Sequence, residues 1–279
     1  MDSVVQTIAD NELRDPSGSN GSFRLPCGFL EEDGTLHRDV VLRAFTGVEE
    51  DILASRRVRA ADKMNLFLSG CIVSIGDITD PNKIRALAPR LLIGDRTFLF
   101  FALRRITHGD VFPFRHKCPN PNCKANEIYR VDLSTLVTYP MPKPEKRTYE
   151  ITLPHSGHLV VWHPMDGTQE ARRDELKKRI GLLTLNLLLR VEAIDGRPVT
   201  ADDLARLPSG DRDHLRTHID EHEGGVETTA ELICPVCGEE FERDVDPSEP
   251  SFFFPSEMQQ RWKRKSSSSS TTSEFQTPT

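Results

Sequence analysis

Long apolar runs, a surplus of positive charge and the short signatures of common active sites are all missing from this sequence. No stretch approaches the roughly 18 consecutive apolar residues needed to cross a bilayer. Lysine and arginine number 36 against 43 aspartates and glutamates, and the net charge of −7 supplies no global field that would draw the chain to nucleic acid or anionic lipid. There is no Gly-x-Ser-x-Gly elbow, no phosphate-cradling glycine loop and no His-Glu-x-x-His helix. Carboxylates are plentiful, but none stands out as a pair in an apolar setting. These gaps point away from an enzyme and from a small-molecule substrate. The first twenty residues, with Asp2, Asp10, Glu12 and Asp15, also lack the basic start and apolar core of a secretory signal. The expectation is a protein made and kept in a reducing cytoplasm.

What is present is cysteine in pairs. In that compartment closely spaced thiols read as metal ligands before they read as disulfides. Cys118-Pro-Asn-Pro-Asn-Cys123 spaces two thiols by four residues, and Cys234-Pro-Val-Cys237-Gly238 is a tighter knuckle. Gly238 permits the left-handed turn that lets backbone N–H groups face sulfur. Four thiolates fill the closed tetrahedral shell of structural zinc and leave no position for the water of a catalytic one. The complication is distance: Cys123 and Cys234 stand 111 positions apart, far beyond the roughly 15–20 residues of an ordinary ribbon. The pairs are either two half-sites joined by the fold or two unrelated turns, whether of reduced thiols or of a redox pair. Neither pair alone completes a shell, so one shared structural zinc is expected, clasping the two halves of the chain. His116 is an alternative ligand beside Cys118. Cys234-Pro-Val-Cys237 follows a strand and does not open a helix, unlike a thioredoxin-type pair. Cys27 and Cys71, alone in apolar settings, read as core.

The rest of the pattern is α+β, mixed helices and short antiparallel strands around a split, zinc-ribbon-like site of four cysteines. Residues 1–22 read as a polar N-terminal arm and 261–279 as a Ser/Thr-rich tail. The proline-rich stretch at Pro140, Pro142 and Pro144 divides the remainder into halves, 23–139 and 140–260, each holding one cysteine pair. A hairpin turns at Glu31–Gly34, and Thr46-Gly-Val-Glu49 has the form of a capping box. Asp95 is placed to cap an apolar helix over 96–106 that Gly109 ends. A strand follows at 127–133, then a hairpin around His155-Ser-Gly157 and a long helix over 168–189. Val191–Ile194 with Asp195-Gly196 forms a strand and turn, helices follow at 202–207 and 211–223, and strands flank the second cysteine pair.

Other chemistry-bearing residues carry a plainer reading. His155, His158 and His163 flank a hairpin and scatter over two faces. His214, His218 and His222 share one helical stripe, which metals can use, but the charged neighbours suggest a solvated face. The basic runs Arg56–Arg59 and Arg104-Arg105 suit phosphate or an acidic partner, but as amphipathic helix faces they are more often plain surface. Phe252, Phe253 and Phe254 lie between prolines; they are either buried or presented to another subunit, with Trp262 as a further partner contact.

The order of these motifs resembles one family. Leu25-Pro-Cys-Gly28, Phe45-Thr-Gly-Val-Glu-Glu-Asp-Ile-Leu53, Leu91-Leu-Ile-Gly-Asp-Arg96, Phe114-Arg-His-Lys-Cys118 with Cys123, and Val131-Asp-Leu133 occur in a succession similar to the T-even-type phage baseplate hub family of contractile tails and related injection systems. The resemblance covers roughly 23–137. Gly224-Gly-Val226, Cys234-Pro-Val-Cys237 and the Phe252–Pro255 ending look like longer tail-cluster members. It implies a non-enzymatic part or assembly factor of a baseplate, with other tail subunits as partners, no nucleic acid and no membrane contact of its own. The alternative is a zinc-ribbon nucleic-acid-binding or transcription accessory protein. That reading needs a basic face, and Glu239, Glu240 and Glu242 follow the second pair where Lys117, Lys124 and Arg130 lie near the first.

Overall fold

Alternation of Phe23, Leu25 and Cys27, all buried, sets the first strand, and turn formers at 31–34 fold it back on the next. In the computed structural model, which describes residues 20–254, β1 (Asn20–Leu30) pairs antiparallel with β2 (Leu36–Arg43), and β2 with β3 (Ile72–Ile75). Residues 20–22, expected in the N-terminal arm, are strand: Asn20, Gly21 and Ser22 pair with Arg43, Leu42 and Val41. Residues 1–19 and 255–279, with Trp262, lie outside the described residues.

Between β2 and β3 run α1 (Gly47–Ala54) and α2 (Ala60–Cys71). The capping box forms: the Thr46 N–H donates to the Glu49 carboxylate at 2.9 Å, and the Thr46 hydroxyl accepts from Val48 N–H at 3.4 Å. Glu49 is buried and ion-paired to Arg43 at 2.7 Å. After α3 (Pro81–Leu87) comes α4 (Ile93–His108), which packs on β1. This helix starts two residues before the expected cap. Leu92 is its N-cap and makes no side-chain bond, while Asp95 sits inside the first turn, fully buried, accepting the Cys27 N–H at 2.7 Å. Arg104, expected at the surface, is 1% exposed and donates to the Gly109 carbonyl at 3.2 Å.

Contacts gather the chain into two compact units. Of the described residues, the larger takes 20–109 together with Thr135–Glu227, and the smaller takes Asp110–Ser134 together with 228–254. Halves meeting at 139/140 do not coincide with these units, because each cysteine pair lies on a separate segment of the same smaller unit. That unit is built from β4 (Val111–Lys117), β5 (Asn126–Asp132) and, after a long interruption, two more strands and a short helix.

The interruption belongs to the larger unit. β6 (Thr138–Tyr139) pairs with a later strand, and β7 (Tyr149–Thr152) and β8 (Leu159–Trp162) form the expected hairpin. The single helix expected over 168–189 is two, α5 (Gly167–Leu176) and α6 (Leu182–Leu188). Gly181 stands between them in extended backbone, a residue that costs about 1 kcal/mol inside a helix. β9 (Val191–Ile194) and β10 (Arg197–Pro198) complete a sheet of order β10-β9-β8-β7, followed by α7 (Ala201–Arg206), α8 (Ser209–His222) and β11 (Gly225–Val226), the partner of β6. Its core stacks Tyr149 on Trp162, centroids 4.6 Å apart. Backbones meet closely beside it: a Cβ at Gly94 would lie 1.9 Å from the Gly224 carbonyl oxygen, so only hydrogen fits there.

The smaller unit resumes with β12 (Thr229–Ile233), β13 (Glu240–Asp244) and α9 (Pro250–Phe253). The architecture is α+β, with short antiparallel sheets and four cysteines drawn together. No helix among the described residues is long and apolar enough to cross a membrane.

Candidate metal centre

Two hairpins end in the two cysteine turns. β4 and β5 pair from Val111↔Asp132 to Lys117↔Asn126, leaving Cys118 and Cys123 on the connecting loop. β12 and β13 pair from Thr229↔Asp244 to Ile233↔Glu240, leaving Cys234 and Cys237 on theirs. Local bonds shape each turn. Cys118 N–H donates to the Ala125 carbonyl at 2.9 Å, and the Asn120 side chain accepts from Asn122 N–H at 2.9 Å. In the second turn Cys234 N–H donates to the Glu239 carbonyl at 2.8 Å, and Gly238 N–H to the Cys234 carbonyl at 2.9 Å. Gly238 takes φ +75°, as the knuckle requires. The Asn120 amide reaches across to Glu239 at 3.3 Å and ties one turn to the other.

The four sulfur atoms lie within 4.8 Å of one another and can hold a metal ion. Cys118 and Cys237 are 3.6 Å apart, Cys123 and Cys234 3.9 Å. A tetrahedral zinc with Zn–S near 2.3 Å would set its sulfurs about 3.8 Å apart, so the spacing already fits that ion. It does not fit disulfides, whose sulfurs stand about 2.05 Å apart, and all four thiols are free. Three of them are buried and Cys237 is exposed, with Ala125 and Phe241 packed against the cluster. The thiols themselves therefore form most of this small core.

Charge crowding is uneven. The backbone N–H groups of Cys237 and Val236 draw the Cys234 thiol down to about 6. Burial, followed by hydrogen bonds with the other thiols, pushes Cys118 up to about 12. Four thiolates at this spacing repel one another strongly, and a dication bound among them would remove that repulsion.

An aromatic seam surrounds the sulfurs. Tyr129 packs edge-on against Phe241 at 5.5 Å, and His116 stacks on Phe241 at 5.4 Å. His116, the alternative ligand, is outside the sulfur cluster: its Nδ1 accepts from the Arg243 guanidinium at 3.0 Å. The same guanidinium lies 4.5 Å over the Phe114 ring and pairs with Glu249 at 2.6 Å. Sequence reasoning missed Arg243, although its position two residues after Phe241 on β13 puts both on one strand face. The phenylalanines at 252–254, expected as partner contacts, face mostly inward. Phe252 and Phe253 are buried at 0% and 4% exposure and Phe254 is half-buried, so the first two are core and not partner contacts. Phe252 packs edge-on against Phe112 at 5.2 Å.

The histidine stripe is in the larger unit and is not simply solvated. His218 Nδ1 accepts the buried Trp162 indole N–H at 3.1 Å, and the His218 and His222 rings stand 4.2 Å apart. His222 also packs edge-on against Tyr149 at 4.9 Å, while His214 stays exposed. Burial lowers the His218 pKa, and neighbouring His222 adds to the shift. No family model matches the chain, and neither a curated protein nor a solved structure does.

Proposed function

We propose that this chain is a structural or assembly component of a contractile tail baseplate or a related injection system, its smaller unit held closed by one structural zinc. The observation that carries the zinc is the set of four sulfurs within 4.8 Å of one another, two of their separations close to those of a tetrahedral shell, contributed in pairs by two hairpins from remote segments. All four protein ligands are thiols, so the ion's role is to stabilise the fold, leaving no coordination position for a reacting water. The baseplate reading rests on the succession of motifs between residues 25 and 133. Two of those motifs form the Thr46 capping box and the largely buried α4.

A nucleic-acid role for the paired hairpins has less support. Glu239, Glu240 and Glu242 crowd the second turn and would repel phosphate. Two measurements test the proposal separately. Elemental analysis of the purified chain should find one zinc per chain, and its absence from protein prepared without chelator would end the zinc assignment. Co-expression with tube, sheath and wedge subunits should yield a stable complex containing this chain. Failure to co-purify with any of them, or its gene lying apart from theirs, would end the baseplate assignment and leave the zinc untouched.

A further inference from the structure

A basic run, interrupted by Asp174 and Glu175, adjoins two leucines that stand in water. Arg172 and Arg173 are exposed on α5, Lys178 and Arg179 on the turn that follows, and Leu182 and Leu183 open α6 at 58% and 59% exposure. Among the described residues these are the only two consecutive large apolar side chains left exposed. The turn between them is tight. Arg179 N–H and Ile180 N–H both donate to the Leu176 carbonyl, at 2.8 and 3.1 Å, and Lys178 and Arg179 stand within five residues of both leucines. A second basic strip adjoins it in the same unit. Arg56 and Arg57 are exposed on the turn before α2, α2 packs on α5, and Arg59 interacts electrostatically with Glu175 of α5.

Either half alone has an ordinary explanation, since charged runs are commonly solvated and isolated leucines commonly exposed. The combination narrows the choice. A nucleic acid would engage the cations and leave the leucines wet. An apolar ligand would cover the leucines and leave the cations without counter-charge. A bilayer surface bearing acidic headgroups uses both, because phosphates and carboxylates meet the guanidinium and ammonium groups while short apolar side chains enter the acyl boundary. We infer that the exposed segment carrying Arg172, Arg173, Lys178, Arg179, Leu182 and Leu183 is a docking surface for an anionic lipid bilayer. The net charge of −7, which argued against membrane contact, averages over the whole chain. A headgroup senses only charges within a Debye length, about 8–10 Å at physiological salt.

The test is co-sedimentation of the full-length, metal-loaded chain with vesicles of phosphatidylcholine alone or with about a third phosphatidylserine, at low and high salt. Binding is expected only to the anionic vesicles and should weaken steeply with salt. Lys178→Gln with Arg179→Gln should lower the partition roughly 20- to 30-fold, at about fivefold per cation. Leu182→Ser with Leu183→Ser should lower it about tenfold or more while leaving the circular dichroism spectrum unchanged. These leucines are exposed, so a well-folded variant is expected and the comparison remains interpretable. Three results would overturn the assignment: no binding at low salt, equal binding to neutral vesicles, or binding indifferent to the leucine pair. A DNA duplex that binds as tightly as the vesicles, again indifferent to the leucines, would identify a polyanion site in its place.

Discussion

Asp95 offers a quantitative test of the larger unit's core. Its carboxyl is fully buried in the first turn of α4, where one oxygen accepts the Cys27 N–H at 2.7 Å and the other has no hydrogen-bond partner. Burial raises its pKa from 3.8 to about 6, although the Cys27 N–H and Arg147 pull it down. At about 1.36 kcal/mol per pH unit, the gap corresponds to ~3 kcal/mol between the two protonation states. The sign follows from proton counting. Between about pH 4 and 6 the folded chain holds this proton more tightly than the unfolded chain. Stability from this group is therefore greatest below about pH 4 and is lost as pH rises through 6. Asp95→Asn keeps an oxygen for the Cys27 N–H and removes the charge. Urea denaturation should show the variant about 2–3 kcal/mol more stable than the parent near pH 7.5 and nearly equal to it near pH 4. Parallel pH profiles for the two proteins, or a variant weaker at both ends, would refute the reasoning.

Three further outcomes are expected. Cys234→Ser should abolish stoichiometric zinc and lower stability by roughly 3–4 kcal/mol, about a quarter of the 10–16 kcal/mol typical of four-ligand zinc, read by metal analysis and thermal melts; retained zinc at full stoichiometry would contradict the shared site. Gly94→Ala should destabilise by more than ~3 kcal/mol despite the better helix propensity of alanine, because its methyl would overlap the Gly224 carbonyl; an unchanged melting temperature would show that the contact yields easily. Phe252→Ala should cost about 3–5 kcal/mol and speed proteolysis of the smaller unit, whereas a silent change would restore the reading of an aromatic offered to a partner.

Features encoded within a few residues were legible in the sequence. Thr46 and Glu49 satisfy each other across one turn, Gly238 meets a left-handed turn imposed by its own knuckle, and the cysteine spacings mark both turns. Features that depend on distant neighbours were not. His218 and His222 have the same four-residue spacing whether they face water or rings, and Trp162 on β8 and Tyr149 on β7 decide between the two. Asp95 has the chemistry of a helix cap, yet α4 begins earlier and directs it inward to the backbone of β1. The phenylalanines at 252 and 253 looked equally suited to core or interface, because Phe112, which receives Phe252, lies 140 positions earlier. The helix over 168–189 failed at Gly181, where a leucine-rich sequence alone concealed the break.

The two segments of the smaller unit bracket residues 135–227, and this arrangement has a consequence during synthesis. A ribosome delivers Cys118 and Cys123 first and Cys237 more than a hundred residues later, seconds apart at roughly 5–20 residues per second. Throughout that interval the first hairpin has two thiols and no partners, and joining ends this far apart in a flexible chain costs about 4 kcal/mol of closure entropy. Prior folding of 135–227 shortens the effective span and lowers that cost. The nascent thiols are thus open to oxidation or to capture of a stray ion until the second knuckle emerges.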